Sequence, residues 1–171
     1  MSVDLETHRV GVFLGRFQPF HLGHLNALQY IFDNNDYIII CIGSAQETFP
    51  LDIRERMIKM QFQLKEFGIP EFQKYSIAAM NDPYPMDTWV EEMVEVCGLR
   101  IWGHLKNLTL YRADDDLTKQ DLKKLKKFNI KVEYIERKPF YYKADNGIYY
   151  KVSSATEIRK LVNDRVGGKI S

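Results

Sequence analysis

Short apolar runs alternate with segments whose apolar residues recur every three or four positions, from Val10 almost to the end of the chain. The runs predict strands at 10–14, 37–42, 75–80, 99–102 and 131–135, and the periodic segments predict helices at 22–32, 51–67, 88–97, 117–128 and from 154 onward. Strand 37–42 is apolar at nearly every position, as expected when both faces of a sheet are covered. Such alternation predicts an α/β fold with a Rossmann-like, doubly wound parallel sheet of about five strands.

Polar residues mark the ends of several predicted helices. Asp52 with Glu55, and Ser154 with Glu157, have the three-residue spacing of a capping box. Asp87 is positioned to cap the third helix. We expect these residues to satisfy backbone N–H groups that have no partner within their own helix.

The segment "FYYKADNGIYYKV" places Asn146-Gly147 between two aromatic runs, which predicts a β-hairpin before the last helix. Its tyrosines and lysines could also suggest base stacking in a nucleic-acid site. Large cross-strand aromatic pairs explain them without a ligand.

The composition narrows the class of protein. The 171 residues are 45% hydrophobic and 27% charged with a net charge of +1, which predicts one globular domain over 1–171 and no nucleic-acid-binding surface. Cys41 and Cys97 have no metal-type spacing, which fits a reducing compartment. The N-terminus lacks the pattern of a signal peptide, and no apolar run could span a bilayer. A soluble, cytoplasmic protein without a membrane partner is expected.

The stretch "GRFQPFHLGH" begins where the first strand ends. In parallel α/β sheets, ligands bind beyond the carboxyl ends of the strands. A helix that starts there presents free N–H groups that suit a phosphate. Gly15 and Gly23 would let the backbone approach a ligand closely, and Arg16 can hold phosphate oxygens with two hydrogen bonds.

His21 and His24 are three residues apart at the start of this helix, so they share a face. Aimed at a phosphate, two imidazoles could donate hydrogen bonds where negative charge accumulates. Each could instead be an ordinary loop histidine. A zinc site is a third interpretation, weakened because the chain lacks a Cys/His partner at motif spacing.

The full string "GRFQPFHLGH" resembles the signature of the nucleotidyltransferase superfamily marked by His/Thr-x-Gly-His. "CIGSAQ", "DTWVEEM" and "SSATEIRKL" resemble further motifs of the archaeal-type nicotinamide mononucleotide adenylyltransferases. The same motifs occur in the adenylyltransferase half of bifunctional enzymes that carry a Nudix domain. The resemblance covers roughly residues 10–163 and has four motifs in the same order.

The resemblance implies a reaction in which the mononucleotide 5′-phosphate attacks the α-phosphorus of ATP and gives NAD and pyrophosphate. It implies a catalytic role for four residues: Arg16, His21, His24 and Arg159. The implied ATP-binding residues are Gly15, Arg16, Phe17, His21, Gly23, His24, Gly103, His104, Ser154, Thr156 and Arg159. The implied mononucleotide-binding residues are Phe17, Gln18, Ser44, Gln46, Asp82 and Trp89, with the indole stacking on the nicotinamide ring.

The family's cofactor is a magnesium ion bound mainly by phosphates and water, so no cage of protein ligands is expected. Relatives often form homo-oligomers, which leaves assembly with copies of this chain open. The chain shows no Nudix signature, so a second, hydrolytic activity is not expected.

Two segments depart from the family pattern. The loop after Gln46 is short and has no basic residue before Arg54, so Arg54 or Arg56 would have to supply the usual positive charge near the reaction centre. The segment "GHLKNLTLYRADDD" also differs, which leaves the adenine contacts open. Its three aspartates could bind a metal, but a solvated turn that caps the helix from Leu117 is the simpler interpretation.

Other functions remain compatible with these motifs. Within the superfamily, adenylyl or cytidylyl transfer to another phosphorylated acceptor, such as phosphopantetheine or FMN, is the main alternative. A nucleotide-sensing module that keeps the fold without turnover is a second, disfavoured because His21, His24, Arg16 and Arg159 are all present. Trp89 could simply belong to the core, and Arg159 could lie on the surface of its helix.

Overall fold

The computed structural model describes residues 8–69, 74–98, 108–114 and 116–165. Five strands form one parallel sheet in the order β3-β2-β1-β4-β5. They are β1 (Val10–Gly15), β2 (Tyr37–Ile42), β3 (Tyr75–Ala79), β4 (Leu108–Arg112) and β5 (Ile130–Tyr134). The chain runs to one side of β1 through β3 and then crosses to the other, so a crevice opens beyond the carboxyl ends of β1 and β4.

Helices cover both faces of the sheet, which confirms the doubly wound fold. They are α1 (Leu22–Asn34), α2 (Ile53–Glu66), α3 (Trp89–Val96), α4 (Lys119–Lys127) and α5 (Ala155–Arg165). Leu28 of α1 and Leu64 of α2 are buried against one face, and Met93 of α3 and Leu125 of α4 against the other. No helix within the described ranges is long and apolar enough to cross a membrane.

The predicted hairpin is confirmed as β6 (Phe140–Lys143) paired antiparallel with β7 (Tyr149–Val152). Gly147 has a φ of +81°, the left-handed conformation that glycine adopts without a steric penalty. Phe140 and Val152 form a small core with Ile158 of α5. The hairpin and the last helix therefore pack together as one unit.

One local prediction stays untested, one strand was missed, and one predicted helix cap was wrong. The predicted strand 99–102 lies outside the described residues, and β4, between β1 and β5, is Leu108–Arg112. That run was missed because Thr109 and Arg112 interrupt its apolar pattern. Asp87 does not cap α3, because it lies within a 3₁₀ turn at 86–88.

Neither Asp114 nor Asp116 is the N-cap residue of α4. Thr118 is its N-cap residue, and it forms a capping box with Asp121. The Asp52 cap of α2 is confirmed, since its carboxylate accepts the Glu55 N–H at 2.7 Å. Ser154 also accepts the Glu157 N–H, while the Glu157 carboxylate accepts from the backbone of Ser153.

Candidate active site

A cavity of about 930 Å³ occupies the crevice at the carboxyl edge of the sheet. Its walls come from the segments that follow the five strands and from the N-terminal turns of α1, α3 and α5. The residues of the sequence prediction that line it are Gly15, Arg16, Phe17, Gln18, His21, Gly23, His24, Ser44, Asp82, Trp89, Ser154, Thr156 and Arg159. Gly103 and His104 lie outside the described residues.

His21 and His24 lock each other in place at the start of α1. His21 is the N-cap residue, and its Nδ1 accepts the His24 N–H at 3.3 Å. In return, Nδ1 of His24 accepts the His21 N–H at 3.1 Å, and the ring centroids are 3.6 Å apart. Because both Nδ1 atoms act as acceptors, the proton of each neutral ring is on Nε2. Both imidazoles are therefore prepared to donate from Nε2.

Burial keeps the two histidines neutral. It lowers the pKa of His21 to about 4, with smaller contributions from the positive charges of Arg137 and Arg159. Burial also lowers the pKa of His24 well below its ordinary value, with His21 and Arg137 adding to the effect. At neutral pH the pair is uncharged, so it can offer N–H donors to a phosphate without the solvation cost of an imidazolium in a buried site.

The C-terminal hairpin supports this pair directly. The ring of Phe140 stacks on His21 with centroids 4.8 Å apart. A Cβ at Gly23 would lie 2.8 Å from the His21 ring and 2.9 Å from Phe140. Gly23 therefore makes room for the stacked side chains, which is a packing role in addition to the ligand approach that the sequence predicted.

Two of the predicted arginines flank the histidines. Nη1 of Arg159 donates to the carbonyl oxygen of Gln18 at 2.9 Å, and Nη2 donates to Thr156 Oγ1 at 3.0 Å. Arg16 is exposed and lies 3.9 Å from the Glu47 carboxylate. Arg16 and Arg159 both line the cavity. The fold therefore brings the motif "GRFQPFHLGH" and the motif "SSATEIRKL" into contact.

Three predicted mononucleotide-binding residues meet on the other side of the cavity. The Asp82 carboxylate accepts hydrogen bonds from Ser44 Oγ at 2.8 Å and from Gln46 Nε2 at 2.6 Å. Gln46 Oε1 accepts the backbone N–H of Asp82 at 2.9 Å. Ser44 has a φ of +50°, a conformation that non-glycine residues rarely adopt. The segments after β2 and β3 are thus joined at the cavity, although Gln46 itself does not line it.

Trp89 is the first residue of α3 and has both a structural role and a place at the cavity. Its indole N–H donates to Asp121 Oδ1 at 3.1 Å, and the ring packs partly against the core. The guanidinium carbon of Arg112 lies 5.9 Å from the ring centre. Trp89 also lines the cavity, so its position is consistent with stacking against a ligand.

Gln18 lines the cavity, but its side-chain amide binds the loop before α2. Nε2 donates to the Leu51 carbonyl oxygen at 2.7 Å, and Oε1 accepts the Leu51 N–H at 2.9 Å. Both polar atoms of the Gln18 side chain therefore already have backbone partners. The contact of Gln18 with the mononucleotide stays a prediction, and it would involve other atoms of this residue.

Neither candidate for the missing basic residue reaches the cavity, which corrects that prediction. Arg54 is exposed outside it, and Arg56 is fully buried. The Arg56 guanidinium donates to carbonyl oxygens in the loops that follow β1 and β2, those of Arg16, Gly43, Ser44, Ala45, Glu47 and Asp52. Arg56 therefore shapes the two loops instead of contacting a ligand.

Sequence reasoning missed three basic residues of the cavity wall. Arg112 ends β4, Arg137 and Lys138 follow β5, and all three line the cavity. Arg137 could have been found, because it follows a predicted strand at its carboxyl end. Arg112 could not, because its strand was not recognised.

The described residues contain no group of three or more His, Cys, Asp or Glu side chains that could hold a metal ion. Asp114 and Asp116 are instead paired with arginines, at 2.7 Å from Arg137 and 2.5 Å from Arg112.

Comparison with known proteins gives the chain a family. The model of the family described as cytidylyltransferase-like matches residues 12–161. A nicotinamide-nucleotide adenylyltransferase of Thermococcus sibiricus is 46% identical over 76 residues, which are 42% of this chain and 40% of the relative. The chain thus matches less than half of the length of this relative.

Solved structures share the fold. A bifunctional NMN adenylyltransferase/ADP ribose pyrophosphatase from Francisella tularensis superposes with a TM-score of 0.62 at 23% identity, covering 92% of this chain and 43% of that one. A second structure of a protein with the same description and source, complexed with AMP and a manganese ion, gives a TM-score of 0.59 at 23% identity over 96% of this chain and 43% of that one.

Proposed function

The chain belongs to the cytidylyltransferase-like family, and from that premise we propose that it transfers the adenylyl group of ATP to nicotinamide mononucleotide. The products are NAD and pyrophosphate. The choice of acceptor rests on the sequence similarity to the nicotinamide-nucleotide adenylyltransferase of Thermococcus sibiricus and on the residues of the Trp89 side of the cavity. We place this activity in the biosynthesis of NAD in the cytoplasm.

The observation that carries the proposal is the reciprocal capping of His21 and His24. It leaves two neutral imidazoles with donor Nε2 atoms at the start of a helix, in a cavity that Arg159 also lines. A phosphate oxygen of the mononucleotide attacks the α-phosphorus of ATP, and the bond from that phosphorus to the bridging oxygen breaks. The electron pair leaves with pyrophosphate, so negative charge accumulates where these donors point.

The polyphosphate lies along the wall that carries the histidines. Arg16, which follows β1, and Arg159 of α5 bind the polyphosphate with their guanidinium groups. The first turn of α5 adds backbone N–H groups. Magnesium enters as part of the substrate MgATP, bound by phosphate oxygens and water. The similar Francisella protein is described as complexed with AMP and a manganese ion, which supports the use of a divalent ion.

The mononucleotide lies on the side of β2 and β3. Its nicotinamide ring stacks on Trp89, and its polar groups face the joined side chains of Ser44 and Asp82. This arrangement holds the acceptor phosphate near the α-phosphorus. Most of the catalytic effect then comes from positioning and from donors that need no reorganisation during the reaction.

An acceptor panel tests the proposal. Purified protein is incubated with MgATP and, in parallel, with nicotinamide mononucleotide, nicotinic acid mononucleotide, FMN and phosphopantetheine, and products are identified by mass spectrometry. We expect NAD and an equal amount of pyrophosphate with nicotinamide mononucleotide. Adenylylation of FMN or phosphopantetheine without NAD formation would move the protein to another reaction of the same superfamily. Binding of ATP without any product would favour a nucleotide sensor.

A further inference from the structure

Arg137 lies in the segment between β5 and β6, at the same edge of the sheet as the histidines. Its Nη2 is 2.7 Å from Oδ2 of Asp114, which follows the end of β4. About half of each side chain is exposed, at 43% for Arg137 and 57% for Asp114. Both residues line the cavity, so this ion pair joins the ends of two neighbouring strands, β4 and β5, at the cavity wall.

The guanidinium of Arg137 is close enough to influence both histidines. Its positive charge contributes to the lowered pKa of His21 and of His24. Arg137 and the two donor imidazoles therefore act on the same region of the cavity. A polyanion held by the histidines would lie within the field of Arg137 as well.

An ordinary surface ion pair is the simplest alternative. Such pairs contribute little to stability, and they need no place in a cavity. The Arg137–Asp114 pair differs because Arg137 lines the cavity. In the proposed function, this cavity receives the negative charges of the ATP phosphates. The Asp114 carboxylate supplies the planar, two-oxygen partner that a phosphate group can replace.

The short loop after Gln46 gives an independent reason to look for a further cation. Arg54 lies outside the cavity, and the donors of Arg56 bind backbone carbonyl oxygens. Neither Arg54 nor Arg56 of α2 therefore adds a positive charge beside the histidines in the cavity. Arg137 approaches the same space from β5.

We propose that Arg137 binds the polyphosphate of the nucleoside triphosphate and that Asp114 occupies its guanidinium until the nucleotide arrives. The inference rests on the proposed function, since it takes ATP as the ligand of this wall. It adds an exchange of partners, in which the Arg137–Asp114 pair breaks as the Arg137–phosphate contact forms.

Binding of α,β-methylene ATP with magnesium, measured by calorimetry, tests the exchange. The variants are Arg137→Gln, Asp114→Asn and the double variant, with Lys151→Gln as the control. Lys151 is exposed on β7 and does not line the cavity, so its variant removes one positive charge that is outside the cavity wall. Thermal unfolding of each variant confirms that it is folded.

We expect Arg137→Gln to weaken binding about tenfold to a hundredfold, the usual effect of losing a charge-assisted hydrogen bond, and Lys151→Gln to change it little. Asp114→Asn should strengthen binding about 1.5-fold to fivefold, because a competing carboxylate is gone. The double variant should bind like Arg137→Gln, because Asp114 acts only through Arg137.

Three outcomes would overturn the inference. Arg137→Gln could bind the analogue as tightly as Lys151→Gln does, Asp114→Asn could weaken binding as much as Arg137→Gln does, or the wild-type protein could fail to bind the analogue. The first two leave the proposed function intact if the wild type still makes NAD. Conversely, a protein that makes no NAD but shows the expected pattern of affinities would keep Arg137 as a nucleotide ligand and remove the proposed reaction.

Discussion

His21 and His24 cap each other: each Nδ1 accepts the backbone N–H of the other residue, and their rings stack at 3.6 Å. The His-x-x-His spacing therefore serves two purposes. It completes the first turn of α1, and it fixes the proton of each imidazole on Nε2, where it can reach a ligand. The local structure and the proposed chemistry depend on the same two side chains.

Two substitutions at His24 separate these purposes. In His24→Asn, the side-chain oxygen can replace Nδ1 as the acceptor, but the donor at Nε2 is lost. We expect near-normal stability and a kcat lowered about a hundredfold or more, with a KM for the mononucleotide that changes little. In His24→Gln, the amide can replace the Nε2 donor while the capping bond is lost. We expect a smaller loss of kcat and a loss of about 0.5–2 kcal/mol in the free energy of unfolding.

Steady-state kinetics and urea denaturation of both His24 variants provide the check. A kcat close to that of the wild type in both variants, with the lower stability of His24→Gln as the only change, would show that the Nε2 donor is not used.

The lowered pKa of His21 predicts a dependence of stability on pH. The pKa of His21 is about 4 in the folded protein and near its ordinary value of 6.5 in the unfolded chain. Between these values the unfolded chain binds more protons, so this contribution to stability is complete above pH 6.5 and is lost as the pH falls toward 4. His21→Asn retains an N-cap acceptor and should show less of this loss.

NMR titration of the His21 ring measures its pKa directly, and denaturation of wild type and His21→Asn at several pH values measures its effect on stability. A ring that titrates near 6.5 in the folded protein would contradict the buried, neutral pair.

The sequence predicted most of the sheet, and most of its candidate site residues line one cavity, because both depend on local patterns. Buried parallel strands give apolar runs, and the motifs that follow them gather at one edge of the sheet. Ser44, Gln46 and Asp82 were assigned to one ligand from separate motifs, and the structure joins them by hydrogen bonds. Strand β4 was missed because Thr109 and Arg112 interrupt its apolar pattern.

Long-range polar contacts were beyond the sequence pattern. Arg56 lies in the charged stretch "IRERMIKM", where a solvated arginine is the ordinary expectation. Its burial follows from the path of two loops that no periodicity describes. The stacking of Phe140 on His21 likewise joins residues more than a hundred positions apart, and only the hairpin's place in the fold brings them together.

Arg56 is predicted to be essential to the stability of the active-site loops. Arg56→Met removes the donor from the buried carbonyl oxygens of Gly43 and Ser44 and from the partly buried one of Arg16. We expect a loss of about 2–4 kcal/mol in the free energy of unfolding, against less than about 0.5 kcal/mol for Arg54→Met on the exposed face of the same helix. Urea denaturation compares the two, and equal losses would contradict the role of Arg56.

Trp89 is predicted to bind the mononucleotide through its ring face. Trp89→Ala should raise the KM for nicotinamide mononucleotide about tenfold while the KM for ATP changes little. Trp89→Phe keeps a stacking ring and loses the hydrogen bond to Asp121, so its KM should lie much closer to that of the wild type. Unfolding of Trp89→Ala without a selective change in KM would leave Trp89 a core residue only.

Transfer of label from [α-³²P]ATP tests the central claim most directly. Folded wild-type protein is incubated with labelled ATP, magnesium and nicotinamide mononucleotide, and the products are separated by chromatography. The account predicts that the label enters NAD, with one unlabelled pyrophosphate released for each NAD, and that His24→Asn slows this transfer about a hundredfold or more. The absence of labelled NAD from protein that still binds ATP would contradict it.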